Sequence, residues 1–306
     1  MSLLPQKLST TVGLELEFNL RNHDPSSWDS PDLPDVRSPA NWIAKDEHCG
    51  IELVTEHTYR SGLTLEKGVE RLLKWANKHT AGTTKNCGIH VHLGMQKRLG
   101  GNVSQQYHWC SEERRMPKDY LRFLLGNERF FFYLVPPYRA MGYNPSWLED
   151  TTRVLKREFG IRTTSYNQSD WPAWLRNAGQ ESAGVNNSGA ARSYSDFLQH
   201  EEEVAEEICN DRQWFTGVTH HKTIEYRLLQ GTYDHDTIIG WVALLNLIHS
   251  KALDKTLPAA PLIQITDTRE QVLHKVVSSL NPHRELKNWI ENQYASNDFR
   301  HIARAN

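Results

Sequence analysis

The stretch TVGLELEFNL, residues 11–20, sets Val12, Leu14, Leu16 and Phe18 against Gly13, Glu15, Glu17 and Asn19. A period of two predicts a β-strand with one buried face, and it puts both glutamates together on the other face. Three further segments share the design. In NCGIHVHLG, residues 86–94, His90 and His92 alternate with Ile89, Val91 and Leu93. In CGIELVTE, residues 49–56, Ile51 and Leu53 alternate with Glu52, Val54 and Glu56. In TIEYRLL, residues 223–229, Glu225 and Arg227 flank Tyr226. Same-face neighbours on a strand sit roughly 6–7 Å apart, so each pair can line one wall of a cavity while its other face packs in a core. Glu52 and Glu56, four apart, span about twice that on an unbroken strand.

Outward from these strands the chain reads as α+β. Residues 22–39 carry Asp24-Pro25, Ser26-Ser27 and Pro34-Asp35 and predict a turn-rich insertion over about 22–45. Leu65, Val69, Leu72, Leu73 and Ala76 recur at helical spacing and predict an amphipathic helix over 63–80. Residues 95–116 read as loop, and 120–133 as one buried helix ended by Pro136-Pro137. The Ser-, Asn- and Gly-rich span 163–195, with Trp171 and Trp174, reads as a second insertion. Ser195 is placed to cap an acidic helix. QWFTGV and TIEYRLL, joined by THHK, form a hairpin candidate, followed by a helix over 236–253 and a mostly helical region 254–306. The expectation is a single catalytic domain over 1–306.

Composition bounds the partners. With 306 residues, 38% hydrophobic and 24% charged, the chain has the make-up of a soluble globular protein with a sizeable core. Its 35 basic and 37 acidic residues give no overall positive field for duplex nucleic acid or an anionic membrane. Cys49, Cys87, Cys110 and Cys209 lie far apart with no CxxC pair, which predicts reduced thiols and a cytoplasmic protein. FLLGNERFFFYLVPP and WVALLNLI are broken by charge or too short to span a bilayer, so no membrane partner is expected.

Any one of these polar pairs read alone is most simply the wet face of a sheet. If all four strands belong to one sheet, that face collects four or five carboxylates and two imidazoles, whose unpaired charge is relieved by divalent cations or shifted pKa values. Carboxylate oxygens with one or two histidines suit Mg²⁺ or Mn²⁺ better than zinc. Arg227 on the same face points to phosphate, because a guanidinium offsets charge on transferred phosphoryl oxygens. Two alternatives stand beside this reading: a metal-dependent hydrolase built on the H-x-H strand, and a non-catalytic module with a solvated acidic face.

GLELEF, the glycine-framed NCGIHVHLG and TIEYR, in that order, resemble the amidoligase branch of the superfamily that holds glutamine synthetase and the glutamate-cysteine ligases. The resemblance runs from about residue 11 to 235 and extends to QGT at 230–232. It implies a curved antiparallel sheet with helices packed on its convex face and a concave face that binds ATP and Mg²⁺ or Mn²⁺. On that face a carboxylate is phosphorylated and an amine then attacks the acyl phosphate. Carried across, it implies metal ligands at Glu15, Glu17, Glu52, Glu56, His90 and Glu225. It implies ATP phosphate contacts at His92, Arg227 and Arg212, and catalytic arginines at Arg227 and Arg139. Substrate contacts are implied at Asn86 and Gly88. Arg139, in PPYRAMGY, is equally open to reading as a surface arginine, and Arg212 has the same standing. The synthetase's small N-terminal domain and substrate loops have no counterpart, so glutamine synthesis itself is not expected. The implied partners are a small-molecule carboxylate and an amine. A peptide or nucleic acid is a further acceptor class, and Trp171 and Trp174 are candidates to stack on a base.

Overall fold

The structure is a computed structural model that describes residues 2–20, 38–47, 50–83, 87–97, 107–108, 118–136, 198–199, 215–219 and 223–297. Contacts divide the chain into two compact units, Met1–His108 with His221–Ser250, and Trp109–His220 with Lys251–Asn306.

The first unit is built on β1 (Lys7–Leu20), longer at its start than the alternating stretch predicts. Its neighbours are β3 (Gly50–Thr55) on one side and β6 (Gly88–Gly94) on the other. Beyond β3 lies β2 (Trp42–Glu47), and beyond β6 lies β10 (Thr223–Gln230), all in antiparallel pairing. Short β4 (Tyr59–Ser61) and β5 (Thr80–Gly82) pair with β1 as well. The order β2-β3-β1-β6-β10 makes an open antiparallel sheet. Gln96–Lys97, β7, pairs with Tyr107–His108, β8, inside a span read from sequence as loop. Two-residue strands leave too few positions for a period of two to register.

The strand β2 corrects the expected insertion over 22–45. Residues 42–47 pair with β3 along their whole length, Trp42 opposite Thr55 through Glu47 opposite Gly50. Trp42 is buried, while Ile43 and Lys45 are exposed, so the start of this strand lacks the apolar alternation of its neighbours. Residues 21–37 lie outside the described residues.

On one face of β1, Val12, Leu14, Leu16 and Phe18 are fully buried, each stabilising the fold by roughly 1.5–3 kcal/mol. Helix α1 (Gly62–His79) adds the predicted stripe of Leu65, Val69, Leu72, Leu73 and Ala76. Helix α4 (His235–Leu253) buries residues around most of its circumference. Its one amide in that apolar run, Asn246, accepts from the Ser9 backbone N–H (3.1 Å) and hydroxyl (2.7 Å), tying α4 to β1.

Gly68 of α1 faces Tyr59 of β4 so closely that a methyl there would overlap the tyrosine hydroxyl. In an open helix Gly→Ala gains roughly 1 kcal/mol, but overpacking costs about 1–3 kcal/mol, so the clash should win. Gly68→Ala is expected to lower the thermal midpoint, and adding Tyr59→Phe should restore part of the loss. An unchanged or raised midpoint in the single variant would show that Tyr59 swings clear at no cost.

In the second unit the expected helix over 120–133 is two, α2 (Lys118–Gly126) and α3 (Glu128–Phe132). The break falls at Asn127, whose amide donates to Phe123 O (2.9 Å) and whose Oδ1 accepts from Leu262 N–H (3.1 Å). An asparagine competing for backbone partners ends the helix locally. Strand β9 (Thr216–Val218) falls where the first arm of the hairpin is expected, and residues 220–222 lie outside the described residues. Helices α5 (Arg269–Leu280) and α6 (Arg284–Ser296) lie within the region 254–306 expected to be mostly helical, while residues 254–268 ahead of them form no helix. Thr268 and Gln271 form a reciprocal capping box at the start of α5. Arg269 donates to Tyr133 O and Tyr294 O, and its guanidinium stacks 4.5 Å from the Tyr294 ring centroid.

Among the described residues no helix is long and apolar enough to cross a membrane. Cys87 is buried and forms no disulfide; Cys49, Cys110 and Cys209 lie outside the described residues.

Candidate metal and phosphate site

Strand register turns the sequence pairs into rows. Gly13 lies opposite His92, and His92 opposite Glu225. In the next row Glu15 lies opposite Val54 on one side and His90 on the other. In the third, Glu17 lies opposite Glu52, and Gln230 opposite Gly88. The Gly88 N–H donates to Glu17 Oε2, closing that row between β6 and β1. Because β1 lies between β3 and β6, and β6 between β1 and β10, four carboxylates and two imidazoles converge on one face.

The register of β10 shifts by one residue between Tyr226 and Leu229, a β-bulge opposite His90. Arg227 and Leu228 together stand against one residue of β6. Leu228 is buried while Arg227 is half-buried on the polar side, as bulges commonly re-aim a side chain near a site.

His90 Nδ1 lies 3.0 Å from Glu15 Oε2 and 3.3 Å from Glu225 Oε1, and its Nε2 lies 3.8 Å from Glu17 Oε1. His92 Nε2 lies 3.3 Å from Glu15 Oε1 and 3.7 Å from Glu225 Oε1. The His92 ring is oriented by Thr223, whose Oγ1 lies 3.1 Å from Nδ1. Arg227 donates to Glu225 Oε2 at 2.6 Å, so the two oxygens of Glu225 serve different neighbours, the guanidinium and the histidines. Lys45 Nζ stands 3.8 Å from Glu52 Oε2.

Burial raises the Glu15 carboxyl, but the close approach of His90 and His92 outweighs it and holds the group well below its ordinary value. A carboxyl depressed in the folded state contributes stability above the ordinary carboxylate range and loses it as the pH falls below.

Two sets of ligand atoms lie within 4.8 Å of one another, Glu15 with His92 and Glu225, and Glu15 with Glu52 and His90. Glu15 belongs to both. His92 Nε2 and Glu225 Oε1 are buried without a hydrogen-bond partner despite their proximity. Buried polar atoms without partners are costly, and a divalent cation between them satisfies both. The donor set, mostly carboxylate oxygen with imidazole nitrogen, fits Mg²⁺ or Mn²⁺.

Of the predicted site residues the structure brings together Glu15, Glu17, Glu52, His90, His92, Glu225, Arg227 and the Gly88 backbone. It does not bring Glu56. Strand β3 ends at Thr55, and Glu56 follows in a bend, exposed, its N–H donating to Asn41 O. The i,i+4 spacing assumed a strand that runs on. Asn86, Arg139 and Arg212 lie outside the described residues, as do Trp171 and Trp174. The sequence reading missed Thr223 and Lys45 as neighbours of the site. Thr223 stands two before Glu225, so the period of two carried the signal; Lys45 sits on the strand that the pattern did not reveal.

No protein-family model matches the chain, and no curated protein matches its sequence.

Proposed function

We propose that the chain is an ATP- and divalent-metal-dependent carboxylate–amine ligase of the amidoligase type, with the antiparallel sheet as the curved catalytic sheet of that fold. The carrying observation is the shared carboxylate Glu15, paired with both histidines, next to a Glu225 whose second oxygen holds Arg227. The two sets of cation-competent atoms thus share Glu15, and one of them shares Glu225 with a phosphate-competent guanidinium, which suits phosphoryl transfer between anions.

A carboxylate is a poor electrophile. In the proposed reaction its oxygen attacks the γ-phosphorus of ATP, the bond to the bridging oxygen breaks, and ADP leaves. The amine nitrogen then attacks the acyl carbon, the C–O bond to phosphate breaks, and the amine gives up a proton, leaving amide, ADP and phosphate. Bound Mg²⁺ or Mn²⁺ would supply charge neutralisation at the phosphates. Glu15, Glu17, Glu52, His90 and Glu225 would hold the cations, Thr223 would orient His92, and Arg227 would meet the phosphoryl oxygens. No nucleophilic side chain is needed for these steps, and buried Cys87 is a packing residue.

The test is release of ADP by the purified chain given Mg²⁺, ATP, mixed amino acids and an amine panel, with mass spectrometry of the products. Arg227→Lys keeps the charge but loses the planar fork; its ADP release should fall about a hundredfold, the scale of losing one preorganised donor. Cleavage of amides or esters without ATP, by protein carrying zinc, would replace this reading with a hydrolase.

A further inference from the structure

The third row of the site holds a residue for which metal and phosphate binding have no use. Gln230 stands in register with Gly88, and Gly88 is bound on its other side to Glu17. The bulge puts it there. Without the extra residue of β10, Leu229 would share a face with Glu225 and Arg227, and Gln230 would turn toward the apolar side. The sheet thus gives up one regular step of its ladder and sets an amide on the polar face.

The Gln230 Oε1 atom is buried and has no hydrogen-bond partner. Leaving such an acceptor unsatisfied is costly, so a ligand that donates to it recovers that energy. The row around it asks for the same kind of ligand. Gly88 contributes no side chain, and its N–H is already taken by Glu17. Glu17 and Glu52 face each other on the far side, and the described cation beside them, Lys45, stands 3.8 Å from Glu52 at the sheet edge. The anion-seeking group, Arg227, is on the other side of the bulge, held to Glu225. One end of the face therefore suits an anion and the other a group rich in N–H.

We propose that the floor over Gly88, between Glu17 and Gln230, seats the attacking amine as its ammonium form, with Gln230 Oε1 accepting one of its N–H bonds and selecting it. This rests on the ligase reading for the word attacking, though not for the site. Gln230 is then a specificity-determining residue. Carboxylate phosphorylation takes place toward Arg227, and the amine waits one row away over Gly88.

Methylammonium, tetramethylammonium and K⁺ are the probes, added at matched ionic strength to the full chain with Mg²⁺. Binding is read by thermal midpoint and by titration calorimetry. Methylammonium should raise the midpoint of the wild-type chain; tetramethylammonium, which has no N–H, and K⁺ should not. Gln230→Met should weaken methylammonium binding about tenfold or more, as loss of a hydrogen bond to a charged group implies, while Gln230→Glu should strengthen it. Gln230→Glu also keeps the test open if the methionine variant fails to fold. Equal responses to all three cations, or an unaltered methylammonium response in both variants, overturn the proposal. A parallel titration of wild-type protein with a non-hydrolysable ATP analogue separates the two readings. Methylammonium selectivity without nucleotide binding keeps the amine seat and removes the ligase; nucleotide binding without selectivity does the reverse.

Discussion

Glu15→Gln should abolish tight divalent-cation binding. Glu15 is the ligand common to both sets of metal-competent atoms, so one substitution strips a carboxylate from each. Loss of a mere outer-shell partner costs about 10–100-fold in metal affinity, so loss of a shared ligand should cost about a hundredfold or more. Calorimetric titration with Mn²⁺ reads this directly, and the rise in thermal midpoint that Mn²⁺ gives the wild-type chain should vanish by mass action. Glu56→Gln is the informative companion. The resemblance makes Glu56 a ligand, whereas the structure leaves it exposed beyond the end of β3. Its Mn²⁺ affinity should equal that of the wild type, and a hundredfold loss there would mean that β3 continues into the site when metal binds.

The second large effect is on stability against pH and belongs to His249 of α4. The residue is fully buried, and desolvation pushes its pKa down to about 4, with a hydrogen bond to the Gly94 backbone pulling the other way. In the unfolded chain the imidazole titrates at its ordinary value, so between about pH 6.5 and 4 the unfolded state binds more protons than the folded one. Stability is therefore fully present above 6.5 and falls as the pH drops toward 4, by about 3 kcal/mol for a separation of this size. His249→Leu removes the proton uptake and keeps an apolar side chain in the packed space. Urea unfolding at pH 7 and pH 4 should show the wild type losing about 3 kcal/mol more than the variant over that interval. Parallel losses in the two proteins would place the acid sensitivity elsewhere.

These expectations depend unequally on the sequence. That Glu15 and Glu17 share a face was legible at once, since alternation is a local property that four apolar side chains enforce by needing the core. The same holds for His90 with His92, and for the buried stripe of α1. Strand β2 was not legible, because it lies at the described edge of the sheet with Trp42 buried and the apolar Ile43 exposed, and its pairing is made by backbone groups that any sequence carries. The break at Asn127 was hidden for a related reason: its partner Leu262 is far along the chain, and the apolar run on both sides reads as one helix.

The sequence by itself determined which residues of β1 and β6 lie on the polar face, because burial of alternate apolar positions admits no other choice there. Which strand neighbours which, and at what register, was decided by tertiary structure, since hydrogen bonds of β6 to β1 and to β10 join segments separated by some seventy to one hundred and forty residues. That register makes Glu15 the carboxylate common to both sets of metal-competent atoms. The bulge opposite His90 is likewise a property of two paired strands, invisible in either one, and it is what moves Gln230 onto the site face while Leu229 stays in the core.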